Sequence, residues 1–556
     1  MILDVLTRSS SLLLLAGVVF SNGAASQNTY PVVELTYGSF RGNTTGNITS
    51  FLGMPYASPP VGELRFRSPQ PPRPFEGIQN AFSYGAACFQ QAEVLSPLLP
   101  PNISTTQSGS LKNISEDCLF INVIKPAYAV PGTNLPVVFW VVGGGFTRGD
   151  SSLNPGGPVV ERSLVLGEPM IHVSINYRLN AFGFLASKEV QEAGVGNLAI
   201  KDQRFALEWV HQHIHTFGGD PSQVTIWGES AGSICVGLQM LVNGGYNGGL
   251  FRGVVMESGS LSVSATLEDG QGYYDQIVNA TGCAGEEDTL ECLRHTSYDA
   301  LAAAINETPS IFNYTSLNLA WQPRIDYDLF PISGPQALQE GLYTKVPFIS
   351  GTDDDEGTIF SFSSINTTTN EEFKNYLQSN YFPTSSPDVV EAIAQAYPED
   401  PIYGSPFGTG TANNLTSQFK RIAAFQGDLV FQAPRRLLLQ YASQTQDAWS
   451  FVFKRYKSTH YVGSYHGADT SDFYKDIDYI GMDALINFVT KLDPNADPTL
   501  PANISYLSGF EWPQWNSSPS RPILTFWDPV PSINITSDTY RSDEVGLMMN
   551  LSLPSS

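Results

Sequence analysis

Positive charge is scarce in this chain. Its 29 lysines and arginines stand against 53 acidic residues, a formal net charge of −24. Such a surface repels phosphate backbones and anionic headgroups, so no nucleic-acid partner is expected. A soluble protein in an acidic medium accounts for the charge, and no function is read from it. Beyond the first twenty residues no run is long and apolar enough for a membrane helix. The last residues, 548–556, carry no hydrophobic tail that would predict a lipid anchor. Internal repeats and long low-complexity linkers are absent, and proline clusters keep to loops such as 95–102. The cysteines number five, which leaves at least one without a partner in the chain.

What is present is ample core material: 42% of the 556 residues are hydrophobic and 12% aromatic. A prior of roughly 150 residues per domain would suggest three or four domains. The N-terminus has a charged start around Asp4 and Arg8, an apolar run over 12–20, and then Gly23-Ala24-Ala25-Ser26. That pattern predicts a secretory signal peptide over 1–26 and a secreted, extracellular mature chain over 27–556. Export favours disulfides. Cys283 with Cys292 most simply closes a short loop and Cys88 with Cys118 a longer one, leaving Cys235, although other pairings are open. Export also gives meaning to the Asn-x-Ser/Thr sequons, each a glycan acceptor: Asn43, Asn47, Asn102, Asn113, Asn279, Asn306, Asn313, Asn366, Asn414, Asn503, Asn516, Asn534 and Asn550.

Nearly continuous apolar runs at 136–142, 170–176, 223–227, 253–256 and 346–350 predict strands buried on both faces. Helical patterns at 202–216 and 231–242 lie among them. The alternation predicts an α/β fold with a mainly parallel sheet. An early pair, 32–40 and 49–56, reads as an antiparallel edge.

The most specific motif is Gly228-Glu229-Ser230-Ala231-Gly232, preceded by a strand and followed by a helix. The glycines let strand and helix approach closely enough to hold Ser230 on a strained turn, its hydroxyl exposed as a nucleophile. Gly143-Gly144-Gly145 ends another strand. A tight turn alone would explain three glycines; in an acyl-transfer enzyme they free backbone N–H groups for a substrate oxygen. Gly144, Gly145 and Ala231 are assigned that oxyanion role.

A serine nucleophile needs a base. Among the seven histidines only His460 and His466 follow the proposed acid in the order serine, acid, histidine. His466, in a loop between Gly463 and Gly467, is favoured, but spacing does not decide. The acid lies in Asp353-Asp354-Asp355-Glu356, where an acidic surface loop is the plain alternative and Asp355 competes with Glu356. His211, His213 and His215 place two histidines at i and i+4, a zinc-like spacing without further ligands; a solvated helix end closed by Gly218-Gly219 is preferred. No metal or cofactor is expected.

At this point the chain resembles the type-B carboxylesterase/lipase family, the cholinesterase-like branch of the α/β hydrolases. The resemblance rests on 51–57 (FLGMPYA), 116–122 (EDCLFIN), 176–179 (NYRL), 196–203 (GNLAIKDQ), 217–221 (FGGDP) and 228–232. Val142 stands where the family often has histidine or an aromatic residue, and Met54 where isoleucine is commoner. The resemblance implies an α/β-hydrolase fold with a disulfide-closed lid or gorge loop. It implies a single catalytic domain over 27–556, Glu356 as acid, His466 as base, and disulfides Cys88–Cys118 and Cys283–Cys292. It implies a serine ester hydrolase acting through an acyl-enzyme. The substrate would be an apolar or aromatic small-molecule or lipid ester: an acylglycerol, a sterol ester or a feruloyl-type ester. Val94, Leu95, Leu98 and Leu99 give the 88–118 loop an apolar side, and 321–324 (WQPR) resembles the family's acyl-pocket region. A catalytically silent adhesion protein of the same fold is the alternative; such members typically lack a triad residue.

Overall fold

The apolar runs of the sequence form the middle of one large sheet. The computed structural model describes residues 30–554 apart from Val94, 101–112 and Asp476, so the expected signal peptide and Asn102 lie outside the described residues. The strands are β1 (Val32–Leu35), β2 (Gly38–Arg41), β3 (Asn43–Thr45), β4 (Ile48–Pro55), β5 (Ile78–Asn80), β6 (Phe120–Pro126), β7 (Leu135–Val141), β8 (Ile171–Ile175), β9 (Gly219–Glu229), β10 (Gly253–Glu257), β11 (Phe348–Asp353), β12 (Ala448–Phe453), β13 (Pro522–Phe526) and β14 (Ile533–Ser537). Eleven of them form the sheet β14-β13-β12-β11-β10-β9-β7-β8-β6-β4-β3. From β8 to β13 each neighbouring pair is parallel. Both flanks are antiparallel.

Side chains alternate across this sheet with the period of two that a pleated strand dictates. Val137, Phe139 and Val141 of β7 join one core with Val224 and Ile226 of β9. Val138 and Trp140 join the opposite core with Trp227, Val255 and Ile349. On that second side Trp140 meets Trp227 at 4.3 Å between ring centroids, and Trp227 stacks on Tyr474 at 4.5 Å. The helix Leu198–His213 covers the first side with Ala206, Leu207 and Val210.

Four expectations need correction. Residues 32–40 are not one strand: β1 and β2 pair as a hairpin and join β5 in a separate small sheet. The antiparallel edge of the large sheet is β4, flanked by β3 and β6. The Thr36-Tyr37 turn divides the run, with the Tyr37 hydroxyl donating to the Pro55 carbonyl. His213 is not solvated; it is buried, its ring against Tyr37 and Trp209. The long helix begins at Leu198, four residues earlier than the pattern suggested, and the helix after Ser230 ends at Gln239.

Of the described sequons, Asn43 and Asn414 are half-buried and the rest are exposed. The disulfides Cys88–Cys118 and Cys283–Cys292 are both formed, and Cys235 is a buried free thiol.

Candidate active site

Strand β9 delivers Ser230. Its backbone has φ 56° and ψ −127°, a conformation that L-residues avoid, and Ala231 starts the helix Ala231–Gln239 directly after it. The flanking glycines are enforced by contact. A Cβ on Gly228 would lie 2.4 Å from the Gly232 backbone, and one on Gly232 would lie 2.1 Å from the Val141 carbonyl oxygen. The Ser230 N–H donates to the Glu257 carbonyl on β10, which fixes the turn to its neighbouring strand.

The loop after β12 brings His466 over the serine. Its Nε2 is 2.7 Å from Ser230 Oγ and its Nδ1 is 2.5 Å from Glu356 Oε2. Burial disfavours the imidazolium, but the Glu356 carboxylate in contact, aided by Glu229 and Asp469, shifts the His466 pKa upward overall. Phe431 and Phe360 flank the imidazole, with centroids at 4.6 and 5.2 Å. His460, the competing histidine, is exposed and lies against Tyr461 instead.

The four consecutive acids are sorted by their partners. Glu356 reaches His466 and accepts the Asp353 N–H with its other oxygen. Asp355 points the other way: it accepts from Ser405 Oγ and the N–H groups of Phe407 and Ser464, and pairs with Lys457. Asp354 pairs with Lys454, Lys457 and Arg541. The stretch is therefore neither a surface loop nor interchangeable in its members.

The three-glycine turn lies against the serine. A Cβ on Gly143 would come within 3.1 Å of Ser230 Cβ; Gly144 has φ +110° and Gly145 φ +61°. Among the described residues no hydrogen bond engages the N–H of Gly144, Gly145 or Ala231. Unengaged amides beside a helix N-terminus are what a developing oxyanion requires.

The family model described as the carboxylesterase family matches residues 29–521. A secreted triacylglycerol lipase of Gibberella zeae is 37% identical, over 92% of this chain and 88% of its own. Lipase 4 of Diutina rugosa is 40% identical, over 84% of this chain and 86% of its own. The crystal structure of Aspergillus niger EstA superposes with a TM-score of 0.79 at 29% identity, over 94% of this chain and 98% of that one. The chain belongs to the carboxylesterase family. It is a carboxylic-ester hydrolase of the α/β-hydrolase fold.

Around Ser230 and His466 of this carboxylesterase lies a separate apolar cluster containing Ile311, Phe360, Phe431 and Val462, with Leu99 of the disulfide loop and Leu317 packed on it. Ile311 covers the three-glycine turn: a Cβ on Gly145 would meet its Cδ1 at 2.8 Å. Trp321 does not take part. It is buried in the main core and donates to Thr308 Oγ1, so the apolar wall comes from the stretch just before it. Leu98 of the disulfide loop points outward, 48% exposed.

Sequence reasoning missed the acids behind the base. Glu229 Oε1 lies 3.6 Å from His466 Nε2, and burial pushes its carboxyl up to about 7, against the pull of His466. Asp353, Asp469 and Glu257 are fully buried nearby. Their spacing in sequence carries no periodic signal; only the strand ends bring them together. Among the described residues the histidines at 211–215 form no group with other metal-ligating side chains; the one such group is Glu63, Glu291 and His295, with Glu291 half-buried and the other two exposed.

Proposed function

We propose that this enzyme hydrolyses long-chain acyl esters, acylglycerols first among them, through an acyl-enzyme on Ser230. The observation that carries the reading is the line Glu356–His466–Ser230, with three unengaged amides on the other side of the serine. Ser230 Oγ attacks the ester carbonyl carbon as its proton passes to His466 Nε2. Glu356 holds the Nδ1–H tautomer and balances the imidazolium. The tetrahedral oxygen takes its negative charge against the N–H groups of Gly144, Gly145 and Ala231. The C–O bond to the alcohol then breaks, with His466 returning the proton to the leaving oxygen. Water, deprotonated by His466, repeats the sequence on the acyl-serine and releases the acid.

The apolar cluster of Ile311, Phe360, Phe431 and Leu99 supports an apolar acyl group. The names of the relatives, triacylglycerol lipase and lipase, support the same class, and the secreted relatives support an extracellular enzyme. One domain over 27–556 fits a sheet that draws strands from β3 to β14. The exposed sequons fit surface glycans.

The test is a series of p-nitrophenyl esters from acetate to palmitate, with Ser230→Ala in parallel. The rate should peak at long chains, and Ser230→Ala should lower kcat on the order of 10⁴- to 10⁶-fold without loss of folding. A peak at acetate or butyrate would replace the lipase reading with a confined pocket, and aromatic-acid esters would become the substrates to examine.

A further inference from the structure

Asp353 ends β11 and is fully buried. It touches the supports of both the acid and the base. Its N–H donates to Glu356 Oε1 at 2.9 Å. Its Oδ2 accepts the N–H of Gly467 at 2.8 Å and that of Ala468 at 3.2 Å, the two residues that follow His466. Its carbonyl accepts from Gln432 Nε2 at 3.0 Å, which ties it to the helix carrying Phe431. One residue thereby fixes the distance between the carboxylate and the imidazole it orients.

The second carboxyl oxygen, Oδ1, is buried and has no hydrogen-bond partner among the described residues. Asp469 is in the same condition with both oxygens, and Glu257 with its Oε2. None of these three carboxyls forms an ion pair with a lysine or arginine among the described residues; those cations go to Asp354, Asp355 and others. The groups facing Asp353 are Glu356 on its own loop, Glu229 at the end of β9, and Tyr465, His466 and Asp469 on the loop after β12. A buried carboxylate without a countercharge among further carboxylates is far costlier than a buried carboxylic acid.

We propose that Asp353 is a positioning residue for the Glu356–His466 pair and that it works as an uncharged acid, Oδ2 holding the 467–468 amides and Oδ1 carrying the proton. Burial pushes its pKa well above the ordinary carboxyl range, Asp469 and Glu356 add to this, and the Gly467 amide opposes it. The uncharged form serves the base. A further full negative charge beside the imidazole would hold His466 protonated at the pH where it must accept a proton from Ser230. Glu356 then supplies the main charge that orients and stabilises the imidazolium.

The inference rests on the ester-hydrolase chemistry above, and two variants separate it from that reading. In Asp353→Asn the side-chain oxygen keeps both amide bonds and the NH₂ replaces the acid O–H. In Asp353→Ala both bonds are lost. The readouts are kcat and KM on p-nitrophenyl esters, the acid limb of the kcat/KM–pH profile, and the downfield proton resonance of His466 Nδ1–H by NMR. Asp353→Asn should stay within a few-fold of the parent in kcat and keep the acid limb and the resonance in place. Asp353→Ala should lose kcat by about 10²-fold, as misplacement of a reacting group by ~1 Å does, with KM little changed and the resonance shifted or broadened. An acid limb displaced downward by a unit or more in a folded Asp353→Asn would overturn the uncharged form. Parent-like kcat and resonance in Asp353→Ala would overturn the positioning role. If Asp353→Ala does not fold, Asp353→Asn still decides through its acid limb. If the parent hydrolyses no ester, the substrate reading fails, and the His466 resonance in the two variants decides the role of Asp353 by itself.

Discussion

Ser230 holds a positive φ because three contacts leave it no alternative: glycines at 228 and 232 let helix and strand close around it, and the Glu257 carbonyl holds its N–H. That strain was legible in the sequence because only glycine tolerates such approach, so the motif itself records the geometry. The choice of Glu356 over Asp355 was not legible from residue type. It depends on which carboxyl faces the β12 loop, and Asp355 is committed to Ser405, Phe407, Ser464 and Lys457. The Glu356 charge is also what carries the His466 pKa upward against burial. Activity requires neutral His466, so it is lost as pH falls through that raised value. Glu356→Gln removes the charge while keeping the shape. We expect kcat to fall on the order of 10³- to 10⁴-fold, and the acid limb of the residual activity to move to lower pH. A pH–rate profile of the variant checks both; an unmoved limb would mean another carboxyl, Glu229 or Asp469, sets the base.

At the scale of elements, the strands at the centre of the sheet were readable because burial on both faces demands unbroken apolar runs. The hairpin of β1 and β2 was not, because a two-residue turn inside a β-type run leaves little compositional mark. Nor was the joint between the disulfide loop and the oxyanion turn. The Gln91 N–H donates to the Thr147 carbonyl. The Gln90 side chain bridges Gly149 in both directions, and Glu93 pairs with Arg148. The Arg148 N–H in turn donates to the Gly144 carbonyl. Residues 88–93 and 144–149 therefore move as one unit anchored by Cys88. Replacing Cys88 and Cys118 by alanine should cost about 2–4 kcal/mol of stability and also lower kcat, as the oxyanion amides lose their fixed direction. Replacing Cys283 and Cys292, remote from that turn, should cost stability while leaving kcat in place. Denaturant midpoints and kcat for the two paired variants distinguish a coupled loop from an independent one; equal kcat in both would uncouple it.

The whole molecule carries an unusual distribution of protons, and its net charge of −24 gave no hint of it. Burial raises Glu229 to about 7, and Glu93 to about 7 despite Arg148. Burial with the neighbouring Asp478 raises Asp472 to about 8, despite Arg455. Asp353, Asp469 and Glu257 are raised as well, by burial first; Glu229 adds to this at all three, and Asp469 at Asp353 and Glu257. Each of these groups keeps a proton in the folded state that the unfolded chain has released above about pH 4. Their stabilisation is complete below that unfolded value and is lost as pH rises through the folded one. Raised His466 acts in the same direction above its unfolded value. Three groups oppose them: buried His172, lowered to about 3, His213, lowered to about 4, and Lys125, lowered to about 8, each by burial. The histidines' opposition ends once pH passes their ordinary value of about 6.5, where both states are neutral, and that of Lys125 sets in only as pH nears 8. Asp354 and Asp538 are held low by their lysine and arginine partners against burial, and their contribution is already complete above about pH 4. Between about pH 6.5 and 8 the raised acids outnumber the opposing Lys125, and stability should fall as pH rises. The apparent Tm at a fixed scan rate should be higher at pH 6.5 than at pH 8, with Glu229, Glu93 and Asp472 releasing protons across that interval. A Tm that rose over the same interval would show those carboxyls to be ionised in the fold already. The uncharged acid assigned to Asp353 would then have to be abandoned with them.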